Sequence, residues 1–135
     1  MKSNKTIFWT LIIAYAISMA YQYYRSTINQ FPAFDNFGPT EIIGYLVFFA
    51  WSSLALSSKR WALWAVLALC VIQLLIGAFY YLPVIFFVRH GTFWDWVECI
   101  VFICLISLAG YFTLKQLFKK PIGRPEIAQH KLVTK

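Results

Sequence analysis

Four stretches of this chain, residues 7–24, 42–58, 61–88 and 99–114, contain no aspartate, glutamate, lysine, arginine or histidine. That absence excludes several classes at once. Proton-coupled carriers and pumps mark their path with an ionisable residue inside the membrane, and haem bundles need an axial ligand such as histidine. The two histidines, His90 and His130, lie outside the apolar stretches, so no cofactor is expected. Glu41 and Glu98 only border two of the stretches, and a proton-coupled role requires one of them to lie deeper than its position suggests. Charged residues make up 13% of the chain, against roughly a quarter in soluble domains. There are three cysteines, all within apolar runs. Cys99 and Cys104 are five apart and point about 140° from each other on a helix, so they form no metal pair. An odd count in such surroundings is not a disulfide framework either, and the cysteines read as small packing residues. Two-residue alternation is missing too, which removes a β-barrel.

What is present is apolar and aromatic: 61% hydrophobic and 20% aromatic residues in 135. Each uncharged stretch is about long enough to cross a hydrocarbon core as a helix. Ten of the twelve basic residues fall on one side of these segments: Lys2, Lys5, Lys59, Arg60, Lys115, Lys119, Lys120, Arg124, Lys131 and Lys135. Asp35, Glu41, Asp95 and Glu98 fall on the other, with Arg25 and Arg89. A bilayer with a charge-sensing insertion machinery sorts residues in this way. The expected fold is therefore an all-α integral membrane bundle of four transmembrane helices, up-down-up-down, with both termini cytoplasmic in the inner (plasma) membrane. Residues 1–118 form the bundle, with spans at about 7–24, 41–58, 61–82 and 98–115. Pro83 disfavours helical geometry at Leu82, so the third span is ended there, leaving Val84–Val88 as an interfacial strip or a kinked extension. Residues 119–135 form a basic cytoplasmic tail, expected to be disordered, with anionic lipid as its partner. The +7 charge is divided among three segments, so topology explains it and nucleic acid is not expected.

Two further patterns bear on organisation. Ser18-Met19-Ala20 has the small-x-small form of a signal-peptide cleavage site, but the apolar run continues through Tyr21–Tyr24 and the segment is expected to stay. A shift of 57 residues places Tyr23-Tyr24 on Tyr80-Tyr81 and Glu41 on Glu98, as a duplicated hairpin would. Interfacial preference accounts for paired tyrosines, and the helix dipole for a glutamate at a helix start.

The candidate site residues form two groups. Tyr15, Ser52 and Gln73 fall near span midpoints, with Trp51 beside Ser52 at mid-depth rather than in an interfacial belt. An unpaired amide in hydrocarbon is costly, so Gln73 is expected to point inward and bond a serine or a backbone carbonyl, as interhelical glue or as part of a binding site. The second group lies beyond the apolar segments: His90, Asp95 and Glu98, joined by Glu41 and Asp35. Asp95 and Glu98, three apart, share a helix face, and with His90 they offer divalent-cation or acid–base chemistry. The alternative is a solvated loop whose acids cap helices. Small residues four apart (Ala14–Ser18, Ala16–Ala20), with Ser107 and Gly110, mark helix contacts.

The leading expectation is a small non-catalytic membrane protein that binds another membrane protein, as an accessory, immunity or regulatory component, or forms a homo-oligomer. The second is a small oligomeric carrier for an amphipathic solute or lipid, using the Gln73–serine layer and gated by Glu41 and Glu98. The third is a surface enzyme built on His90, Asp95 and Glu98.

Overall fold

The computed structural model describes residues 2–28, 30–57 and 59–119, and all secondary structure among them is helical. Helix α1 spans Lys2–Ile28; α2 spans Pro39–Ser52 and tightens into a 3₁₀ turn at Ser53–Leu56; α3 spans Arg60–Ile76; α4 spans Phe93–Leu117. Most of the expected tail lies outside the described residues. Three helical segments are long and apolar enough to cross a membrane: Pro39–Leu56, Arg60–Val88 and Phe93–Leu117.

The helices pack through seams spaced alternately three and four residues apart. In α1 the buried set is Asn4, Ile7, Leu11, Ala14, Ser18 and Arg25, with Tyr15 beside it. In α4 it includes Asp95, Cys99, Ile106, Ala109 and Thr113. A 3.5-residue repeat keeps one face turned toward a partner along the full length of a helix, with left-handed crossing. Helices α1 and α4 run antiparallel on this seam, and α3 also packs against α4. Gly110 lets α3 close up: a Cβ there would stand 3.6 Å from that of Cys70. Of the small-residue pairs, Ala14 and Ser18 enter the interior, whereas Ala16, Ala20 and Ser107 are exposed.

Helix α2 is the outlier, with 11% of its span buried against 39% and 33% for the other two. It lies along α1 and approaches α3 mainly through its terminal 3₁₀ turn. Near that turn the Trp51 indole donates to the Ala65 carbonyl at 3.1 Å. Farther from the turn, toward Glu41, α2 and α3 part.

The third helical segment does not end at Leu82. Beyond Ile76 it continues as a π turn at Gly77–Tyr81, passes Pro83 in helical geometry, and makes a second π turn at Val84–Val88. Proline removes one helical hydrogen bond and crowds the carbonyl a turn back; the wider i→i+5 turns on either side make room for it. They also change the spacing of the buried face. Gln73, Gly77, Ile85 and Arg89 are buried, and with Tyr81 they mark every fourth position. Arg89 is carried inward as a result. The chain then reverses through His90, whose φ of 47° is left-handed, and Gly91, whose amide donates to the Ile85 carbonyl at 3.0 Å.

Candidate functional site

At the end of the bundle that carries the acids, two arginines and two aspartates close an alternating ring. Arg25 comes from the last turn of α1, Asp35 from the α1–α2 loop, Arg89 from the end of the third segment and Asp95 from the first turn of α4. Arg25 Nη2 lies 3.5 Å from Asp35 and its Nε 3.4 Å from Asp95. Arg89 Nη2 lies 2.7 Å from Asp35 and its Nη1 4.0 Å from Asp95. All four side chains are at most 3% exposed.

Local structure aims each member of the ring. Asp35 closes a turn, receiving the Phe31 amide at 3.3 Å while its own amide donates to the Phe31 carbonyl. Asp95 stands three residues into α4, where it takes the otherwise unpaired Thr92 amide at 2.9 Å and the Thr92 hydroxyl at 2.8 Å, as a capping residue does. Its other oxygen accepts from the Tyr21 hydroxyl at 2.6 Å. Arg89 Nη2 donates to the Phe34 carbonyl at 2.6 Å, so its close approach to Asp35 is a charge contact rather than an aligned hydrogen bond. Burying four charges is tolerable only when they are paired and hydrogen-bonded.

A cavity of about 190 Å³ lies beside the ring, deeper in the bundle. All four helices contribute to its wall: Tyr15, Ser18 and Gln22 from α1, Tyr45 and Phe48 from α2, Gln73, Gly77, Tyr80 and Tyr81 from the third segment, and Glu98, Cys99 and Phe102 from α4. Tyr15 stacks on Phe48 at 5.2 Å and tilts toward Phe102 at 6.1 Å. A second cavity of about 460 Å³, lined among others by Phe34, Phe37, Glu41 and Arg89, shares Gln22, Tyr45, Tyr80 and Tyr81 with the first. Both lie where α2 and α3 part. Tyr81 connects the cavity to the ring: its hydroxyl donates to Glu98 at 3.0 Å and accepts from Gln22 at 2.9 Å, and Arg89 Nη1 stands 3.5 Å away.

Compared with protein-family models, curated proteins and solved structures, the chain matches none.

The structure regroups the residues expected from sequence. Gln73 and Tyr15 share the cavity, and Glu98 joins them there. Glu98 is therefore deeper than its place at a helix start implied, 5% exposed, because α4 begins five residues earlier, at Phe93. Ser52 is not part of this group; its hydroxyl returns to the Phe48 carbonyl at 2.7 Å. Trp51 is exposed on the outside of the bundle. Ser18 bonds Tyr45 at 3.0 Å, and Gln73 lines the cavity. His90 does not meet Asp95 and Glu98. The left-handed reversal exposes it, and no group of three metal-ligating side chains forms among the described residues. Glu41 caps its own helix, accepting the Gly38 amide at 2.8 Å, and borders only the second cavity. The 57-residue shift thus pairs Glu41 with Glu98 in sequence, but one is an exposed cap and the other a buried wall.

Arg25 and Arg89, the two cations that depart from the charge pattern, hold the ring together. A signal existed: two cations stand among four acids beyond the apolar segments, and opposite charges gathered at one end can pair.

Proposed function

We propose that this protein is a four-span inner-membrane protein that binds a small amphipathic molecule inside its bundle, with carriage of that molecule as its activity. One observation carries the reading: the cavity joins an amide, tyrosine hydroxyls and a carboxylate to apolar walls contributed by all four helices. Ligand sites have this character, mostly apolar with a few converging polar groups. The parting of α2 from α3 supports lateral entry from lipid.

The topology belongs to the same proposal. Helix α1 has 27 residues, about 40 Å of rise, and its tyrosines, Gln22 and hydroxyl residues lower its hydropathy, Tyr15 and Ser18 in the interior and Tyr23 and Tyr24 at the outer end. Its apolar middle and its seam against α4 support it as the fourth span, with both termini cytoplasmic by the charge rule. Ser3, Thr6, Lys115, Gln116 and Lys119 line a groove at the basic end, which supports contact with anionic headgroups. The reading is non-catalytic, since Asp95 has its oxygens occupied by Thr92, Tyr21 and arginine, and His90 faces away.

The test is native mass spectrometry of the protein released from membranes into mild detergent. We expect a small bound molecule on the wild type that is lost in Gly77→Phe, because that ring occupies the cavity. A wild type that inserts and folds yet carries nothing, and whose mass profile matches the filled variant, would overturn the reading. A second reading, an accessory role beside another membrane protein, is favoured by the uncovered apolar face of α2 at Ile42, Ile43, Leu46 and Val47.

A further inference from the structure

The buried charges at the acidic end do not balance. Arg25 and Arg89 are matched by Asp35 and Asp95 in the closed ring, and Glu98 is a third carboxylate left over. No ion pair among the described residues includes it. Arg89, the nearest cation, reaches only the Tyr81 hydroxyl that lies between them, and its own Nη atoms are taken up by Phe34, Asp35 and that hydroxyl.

The surroundings of this surplus carboxylate are aromatic. Tyr15, Tyr45, Phe48, Tyr80, Tyr81 and Phe102 line the same cavity. The Tyr15 hydroxyl, on a side chain 1% exposed, is buried in that wall with no hydrogen-bond partner. Ring faces attract cations, and aromatic cages of this kind take alkylammonium groups. A carboxylate without a counter-ion in low dielectric adds to that attraction. The volume corresponds to roughly six waters at about 30 Å³ each, room for a methylated ammonium head with a small apolar substituent along the cavity's own apolar wall.

Building on the cavity-binding reading, we propose that the ligand is a small monovalent organic cation, an alkylammonium with an apolar substituent, held against Glu98 by the aromatic wall. Glu98 supplies the counter-charge, since no arginine among the described residues forms an ion pair with it. An anionic amphiphile is disfavoured by the same charge count, and a neutral one leaves Glu98 unpaired.

The experiment uses the full chain in phosphatidylcholine nanodiscs, with empty nanodiscs subtracted, and radiolabelled benzyltrimethylammonium as the probe. Neopentylbenzene, its uncharged isostere, is the competitor, alongside unlabelled cation. We expect saturable binding, displaced at least tenfold more effectively by the cation than by the isostere, and weakened tenfold or more in Glu98→Gln. Equal displacement by the two compounds, in the wild type alone, overturns the cation assignment and leaves the cavity reading intact. Saturable binding unchanged in Glu98→Gln overturns it equally. Binding of neither compound, together with a ligand-free mass profile, removes both. Because the isostere comparison needs no variant, the proposal stays testable if Glu98→Gln fails to insert.

Discussion

Tyr81 and Glu98 meet across two helices, the tyrosine hydroxyl donating to the carboxylate at 3.0 Å. Tyr81 reaches that position as the last residue of a π turn, and Glu98 because Thr92 and Asp95 start α4 early. Between them they form the boundary between the ion ring and the cavity. Perturbing either side therefore has separable consequences.

Removing one member of the ring leaves a buried charge uncompensated. Asp95→Asn is expected to lower stability by about 3 kcal/mol or more, as loss of one partner of a buried pair does. Thermal unfolding in a single detergent measures it. An unchanged midpoint would mean that the ring is not formed.

Arg89→Lys keeps the charge but loses the planar fork that reaches Phe34, Asp35 and Tyr81 together. The expected result is release of the α1–α2 loop, with faster amide hydrogen exchange at residues 31–37 than in the wild type. The middle of α4 should keep its protection, since its packing does not involve Arg89.

Two glycines separate crowding from helix propensity. A Cβ at Gly91 would stand 2.6 Å from Trp96 Nε1 and 2.8 Å from Ile85 Cγ2. Gly91→Ala should cost about 1–3 kcal/mol through overpacking. Gly44 lies within α2 and has nothing within 4 Å of such an atom, so Gly44→Ala should stabilise by up to about 1 kcal/mol. The same unfolding assay reads both, and the opposite signs are the prediction.

Tyr21→Phe deletes a 2.6 Å hydrogen bond to Asp95 while keeping the ring of the side chain. The expected loss is about 1.5–3 kcal/mol, the range for bonds to charged groups. A double-mutant cycle with Asp95→Ala should show clear non-additivity, because both changes remove the same contact.

Part of this architecture was readable from residues alone. Long uncharged runs reach helical structure by local rules, and length and hydropathy mark three of them as able to cross a membrane. Glu41 at a helix start behaves as the dipole argument expects. The third helical segment was harder. Pro83 speaks locally for an end, and only the π turns around it carry the helix on to Val88. His90 was grouped with Asp95 and Glu98 by nearness in sequence, which a single left-handed residue undoes.

Residue types alone specify a helical chain, several helices suited to a bilayer, and a separation of four of the five acids from most of the bases. These follow from composition and from the periodicity of single segments. It takes packing between helices to close Arg25, Asp35, Arg89 and Asp95 into one ring and to bring Gln73, Tyr15 and Glu98 to one cavity. Those residues come from separate elements far apart along the chain. Which of them meet is set by the rotational register of each helix and by how far it extends, and both depend on packing between helices.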